Sequence, residues 1–298
     1  MTLLVVACTA GPGPDVVVQP GAPAPELRFA WPVPGTARLV TEMQRYGHVY
    51  DYSCTLEIAP AAAGSLRVRH RDCTDARYDR MPVQPPANNT RLPLDAALAL
   101  ALPTFEIASN GAFARFVSTD ALYGTIADFA AGTEQWGDVP RQELIAGLAD
   151  TSMASLFEDT VRLPWDLWVG FWIAADLPES GGIRTTKVPG GTLQVRSLGI
   201  HEGRLRLKGE LTVDLSDSPL AAFSLFKADQ TVRYSRLARA ASEKPVVPTV
   251  TRRGSFRVEL DPATLRPMTS EYTGELHTVT ANVTMGTTEK YRHTFTWK

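Results

Sequence analysis

The chain has 298 residues, 44% of them hydrophobic and 21% charged, an ordinary balance for a soluble domain that can bury a sizeable core. Its 30 basic and 32 acidic residues leave a formal net charge of −2. With no Lys/Arg run to supply a local field, partners held by charge are excluded, nucleic acid among them.

Met1 to Ala7 is a short apolar run that ends at Cys8. The stretch Val5-Val6-Ala7-Cys8 resembles the lipobox of bacterial lipoproteins, with an apolar residue three positions before the cysteine and a small one just before it. The resemblance implies a thioether-linked diacylglyceryl group on Cys8, an anchor worth about 0.8 kcal/mol per buried CH₂. Downstream, Gly11, Pro12, Gly13, Pro14, Pro20, Gly21, Pro23 and Pro25 make residues 9–26 an extended or disordered tether. A secretory signal also needs a basic n-region and an apolar core of about 7–15 residues, and here both are cut short. Either the sequence begins inside the signal, or Cys8 is an incidental cysteine at a disordered terminus. No other window reaches the roughly 18 apolar residues of a membrane span. The expected attachment is therefore lipid alone, and the expected location is the bacterial cell envelope, in the periplasm or at the cell surface.

Residues 27–298 read as a single α+β domain, since antiparallel β folds run to about 200–250 residues as one unit. Its first zone, 27–118, is mainly β, with alternation in Ala37-Arg-Leu-Val-Thr-Glu-Met43 and Val49-Tyr-Asp-Tyr-Ser-Cys-Thr-Leu-Glu-Ile58. Cys54 and Cys73 flank a hairpin made with Leu66-Arg-Val-Arg-His-Arg-Asp-Cys73. A disulfide between them would be worth about 3 kcal/mol in an oxidising compartment. Parity opposes it. Pairing Leu56 and Ile58 with Leu66 and Val68 puts the sulfurs on opposite faces unless a bulge or an early strand end intervenes, and the other reading is two buried free thiols. Asp79 to Leu94, with Pro82, Pro85, Pro86 and Pro93, is a loop. Thr104–Ala108 and Ala112–Val117 form a hairpin turned at Asn110-Gly111.

The middle zone, 119–177, changes to a helical period. One helix is capped by Ser118 or Thr119 and carries Leu122, Tyr123, Ile126 and Phe129. A second opens at Asp138 with Pro140 in its first turn and carries Leu144, Ile145, Leu148, Leu156 and Phe157. A third begins near Pro164 and is apolar almost all round, with Trp165, Leu167, Trp168, Val169, Phe171, Trp172 and Ile173. A helix without a polar face is normally enclosed by the rest of the protein.

From Gly182 onward alternation returns in 192–196, 204–213, 231–235, 255–260, 276–284 and 290–297, which implies a sheet with one wet face. Asp261-Pro262 and Met285-Gly286 read as turns. A loose repeat, Gly64-Ser-Leu-Arg-Val68, Gly191-Thr-Leu-Gln-Val195 and Gly254-Ser-Phe-Arg-Val258, reads as strands resuming after glycine turns.

This β–helices–β order behind a lipobox and tether resembles the LolA-like lipid-carrier lipoproteins, whose large curved antiparallel sheet forms a half-barrel around a few helices. It also resembles uncharacterised exported proteins sharing Leu167-Trp-Val-Gly-Phe-Trp172 and Asp261-Pro-Ala-Thr-Leu-Arg-Pro267. The likeness covers most of the chain by pattern. It implies a large curved antiparallel sheet with a central helical segment packed on it, and a lipid or other hydrophobic small molecule held between the two. The lining would be Trp165, Trp168, Phe171 and Trp172, supported by Phe129 and Phe157. The competing reading makes the same residues the core that covers the sheet.

No catalytic, metal or cofactor site is legible. His48, His70, His201, His277 and His293 are scattered, and no HExxH, CxxC, phosphate loop or GxSxG elbow occurs. Asp150, Glu158 and Asp159 read as solvated helix charges, and His70 beside Arg71-Asp72 as part of an exposed strand face. Three functions remain open: an envelope lipoprotein that binds a hydrophobic ligand or serves assembly, a structural or protein-interaction module with a solid core, and an envelope hydrolase whose site only the fold assembles.

Overall fold

The computed structural model describes residues 29–45, 47–83, 102–117, 119–130, 139–149, 162–174, 183–188, 190–216, 249–279 and 284–298. Cys8, the tether, Asp150, Phe157, Glu158, Asp159 and the strand expected at 231–235 lie outside these residues.

The described strands are β1 (Gly35–Arg45), β2 (His48–Pro60), β3 (Leu66–Tyr78), β4 (Met81–Pro82), β5 (Phe105–Ile107), β6 (Phe113–Phe116), β7 (Ile183–Val188), β8 (Gly191–His201), β9 (Arg204–Asp214), β10 (Thr249–Leu260), β11 (Pro267–Val279) and β12 (Thr284–Trp297). They form one antiparallel sheet in the order β6-β5-β3-β2-β1-β12-β11-β10-β9-β8-β7, with β4 beside β3. The last strand closes on the first: β12 pairs with β1 from Ala37↔Trp297 to Gln44↔Lys290. The amino-terminal strands therefore form one wing and the carboxy-terminal strands the other. With β6 and β7 at opposite edges, the sheet is open.

Alternation sets which side faces inward. In β1, Ala37, Leu39, Thr41, Met43 and Arg45 are buried, while Arg38, Val40, Glu42 and Gln44 are exposed. Register then lines up the buried sets of neighbouring strands. Leu39 faces Cys54 on one side and Phe295 on the other, and Thr41 faces Tyr52 and His293. Each large apolar side chain removed from water in this way stabilises the sheet by about 1.5–3 kcal/mol. The outer face carries cross-strand ion pairs such as Arg204 and Arg206 with Glu259, which are solvated and worth little individually.

Helix α1 (Thr119–Ala130) buries Tyr123, Ile126 and Ala127, and α2 (Arg141–Leu148) buries Leu144. Pro140 stands at the N-cap of α2, a small displacement from the expected start at Asp138. The tryptophan segment, 162–174, is helical throughout its described length. It does not keep one period, for a π-helical turn at Asp166–Gly170 precedes α3 (Phe171–Ala174). The segment shows that the sheet curves. Trp165 contacts Phe105 of β5, while α3 approaches β8. Those strands are eight steps apart, or about 38 Å in a flat sheet at roughly 4.8 Å per step. Residues 165–174 span only about 15 Å of helix, so the sheet must wrap around them.

Two expected turns are corrected. Met285-Gly286 lies inside β12, with Gly286 opposite His277, because an exposed strand position tolerates a glycine that nothing needs to pack against. Gly254 does not start a strand as Gly64 and Gly191 do. It sits within β10 opposite Gly274, and a Cβ would run into the Tyr272 ring at 2.4 Å from position 254 and into the Tyr272 hydroxyl at 2.1 Å from position 274. The Asn110-Gly111 turn is as expected: Gly111 has φ +84° and the Asn110 side chain accepts the Ala112 N–H.

Candidate functional site

The inner face has two parts. The first is the seat of the tryptophan segment. Trp165, Trp168 and Trp172 are 1%, 1% and 0% exposed, which places them in the core. Trp165 packs edge-on to Trp31 at 5.7 Å and to Phe105 at 5.4 Å, and its Nε1–H donates to the Gly111 carbonyl at 3.0 Å. Trp168 stands on β12, 5.1 Å from both His293 and Phe295. Phe171 meets Phe256 of β10 at 5.5 Å, and Trp172 Nε1–H donates to the Trp168 carbonyl at 2.7 Å. The backbone of Phe129 belongs to α1, and its side chain and Phe157 lie outside the described residues.

Two histidines border Trp168. His293 shares a hydrogen bond with Thr41 across 3.1 Å, and its Nε2 is buried without a partner, as is Trp168 Nε1. Burial lowers the His293 pKa to about 3, helped by the proximity of His70. His70 is not on an exposed strand face as expected. Its ring nitrogens are shielded from solvent, and the ring centroid is 6.4 Å from that of Trp168. Burial lowers its pKa to about 4 against a smaller opposing effect of the Pro103 backbone. His70 continues the inward alternation of Leu66 and Val68, and the β3 bulge that follows it, with Asp72 and Asp75 at positive φ, changes parity only for the residues beyond. Both histidines are therefore neutral near pH 7 and act as polar packing groups.

The same bulge decides the cysteines. Ile58 pairs with Val68 and Leu56 with His70, the apolar register that parity sets against a bridge. A shift between Ser53 and Thr55 then brings Cys73 over Cys54, with Cα atoms 4.1 Å apart, and the two sulfurs are bonded. Such a bond is most at home in an oxidising compartment.

The second part lies further along β1, β12, β11 and β10. Glu289 is fully buried between two guanidiniums, with Arg45 Nε 2.8 Å from Oε1 and Arg252 Nε 3.3 Å from Oε2. Its carboxyl is lowered from the ordinary carboxylate range: burial raises it, but the two arginines outweigh that effect. Tyr272 lies over Gly254 and Gly274, and its Oη is buried without a hydrogen-bond partner. Burial pushes its pKa up to about 12, so it stays a neutral donor. Tyr291, whose pKa burial also raises, lies 5.6 Å away. An orphaned buried hydroxyl costs about 1–3 kcal/mol. Among the described residues, no ring of the tryptophan segment contacts Tyr272 or Tyr291.

These residues were passed over in the sequence, although parity marks them: Arg45 continues Leu39-x-Thr41-x-Met43, and Glu289 precedes Tyr291-x-His293-x-Phe295. Among the described residues, no group of three or more His, Cys, Asp or Glu side chains is arranged to hold a metal. No helix described is long and apolar enough to cross a membrane.

No family model matches the sequence, and no curated protein matches it. Among solved structures the fold is similar to one described as "lipid-protein interactions in lipovitellin", with a TM-score of 0.41 and 6% identity. That alignment covers 89% of this chain but only 24% of the other, so the chain spans about a quarter of that protein's length.

Proposed function

We propose that this chain is the globular part of a lipid-anchored bacterial envelope protein that binds a hydrophobic or lipid ligand against the inner face of its curved sheet. The observation that carries this reading is the reach of the inward-facing surface. It runs across the sheet from Phe105 to Leu193, and the described helical segment meets it at the level of Phe256, His293 and Phe295. Met43, Tyr50, Tyr272, Tyr291 and Val250 continue the same surface beyond that level. A mostly apolar surface with a few polar groups at one end is what an amphiphile requires. The disulfide accords with an exported protein.

A second reading, a structural or protein-interaction module with a solid core, is favoured by the near-complete burial of Trp165, Trp168 and Trp172. Native mass spectrometry after gentle purification, followed by uptake of the uncharged probe N-phenyl-1-naphthylamine by the delipidated protein, separates the two. Co-purifying lipid or saturable probe uptake is expected. A ligand-free mass with no uptake would leave the module as the better account.

A further inference from the structure

We propose that the Tyr272–Arg252–Glu289 cluster is a polar subsite that takes the oxyanion headgroup, carboxylate or phosphate, of an amphiphilic ligand. This rests on the binding function proposed above and adds the class of ligand.

The geometry is specific to four adjacent strands. Glu289 faces Gly274, and Gly274 faces Gly254, so two neighbouring inward positions lack side chains. Into that gap comes the Tyr272 ring, whose hydroxyl would lie 2.1 Å from a Cβ at position 274 and 2.5 Å from one at position 254. Two glycines thus keep the phenol flat on the floor of the sheet, level with the Glu289 carboxylate. Arg252 lies two residues along β10 and turns its Nε toward Glu289 Oε2. Its contact with Glu289 is a charge pair rather than a well-directed hydrogen bond. No hydrogen bond from its Nη1 or Nη2 is found among the described residues.

The chemistry of the unused groups is one-sided. A neutral phenol O–H is a donor in want of an acceptor, and the guanidinium carries five N–H donors and no acceptor. Glu289 can serve as acceptor for part of the guanidinium, yet Tyr272 Oη has no hydrogen bond to it. What the site lacks is a second acceptor, and an anionic oxygen beside a guanidinium gives the strongest version of that bond. The surrounding inward residues, Tyr291, Leu276, Val250 and Phe256, are apolar or aromatic, as the chain beyond a headgroup needs. Glu289 acts here as a positioning residue: it fixes Arg252 and does not touch the ligand.

The test uses the whole protein, delipidated, with cis-parinaric acid and its methyl ester as fluorescent probes. The expected result is tenfold or greater preference for the acid, with displacement by a lysophosphatidic acid or a fatty acid but not by a monoglyceride. Tyr272→Phe and Arg252→Met should each bring the acid down to the affinity of the ester and leave the ester unchanged. Tyr272→Phe removes a single oxygen, so it remains decisive if Arg252→Met fails to fold by near-ultraviolet circular dichroism. Equal binding of acid and ester by the wild type would overturn the subsite while leaving the binding function standing. A preference for the acid that survives Tyr272→Phe would also overturn it. Binding of neither probe would overturn both readings.

Discussion

The two parts of the inner face handle buried polarity differently. Around the tryptophan segment the polar groups are neutral: Trp31, Trp165 and Trp172 each donate to a carbonyl and Ser270 donates to the Leu167 carbonyl, while Trp168 Nε1 and His293 Nε2 are buried without a partner. Around Tyr272, carboxylate and guanidinium meet as charges, and one hydroxyl meets nothing. A surface that serves only packing is cheapest when its polar groups are paired locally. The first part comes closer to that rule than the second, which adds three buried charges. Stability is therefore expected to reside in the tryptophan seat, and selectivity in the tyrosine end.

Substitutions can break this comparison, and the largest effect should come from the seat. Trp168→Ala would remove a ring that is 1% exposed and touches both His293 and Phe295. It should cost about 3–5 kcal/mol in urea unfolding, and a loss below about 1 kcal/mol would show that the segment is not core. Glu289→Gln should approach the same size, about 3–5 kcal/mol, because Arg252 would lose its buried counter-charge. Reducing the Cys54–Cys73 bond, or replacing both cysteines by Ser, should cost about 3 kcal/mol for a loop of 19 residues. Intact mass under non-reducing conditions, with melting in the presence and absence of reductant, checks this.

Acid should also strike the seat before the tyrosine end. The unfolded chain takes up protons at a histidine pKa of about 6.5, whereas folded His70 and His293 wait until about 4 and about 3. Stability from keeping them neutral is thus fully present above about pH 6.5. It is lost progressively as pH falls toward 4 and then 3. His293→Gln should flatten that dependence in melts recorded between pH 7 and pH 4, and an unchanged slope would argue against a buried neutral imidazole. The smallest effect belongs to Tyr272→Phe, which should leave stability unchanged or raise it by up to about 1 kcal/mol, since the lost hydroxyl has no partner. A loss instead would mean that Tyr272 serves packing like the tryptophans, and the contrast between the two parts would fade.

Much of this could be read before any coordinates. Alternation in 36–58 and 255–260, the Asn110-Gly111 hairpin and the enclosed tryptophan segment all follow from local period and turn chemistry. Locally equivalent patterns with different neighbours could not be separated. Gly254 looks like Gly64 in sequence, and only Tyr272 from the adjacent strand makes it a mid-strand residue with a reason to lack a side chain. His70 belongs with Leu66 and Val68 by plain alternation, which its charged neighbours Arg69, Arg71 and Asp72 obscure, whereas the two register shifts further along β3 that bring Cys73 to Cys54 carry no mark in the sequence.

By itself the sequence determined the local periods, the wet and dry sides of strands such as β1 and β10 and the β–helices–β order, because these depend on side chains a few residues apart. The tertiary structure decided the rest. β12 joins β1 across more than two hundred residues, Cys73 reaches Cys54 through a bulge, and Arg45, Arg252 and Glu289 come from three strands to one point. Those contacts depend on strand register and sheet curvature. Both are settled by which inward faces can be buried together, a collective property of the packed chain.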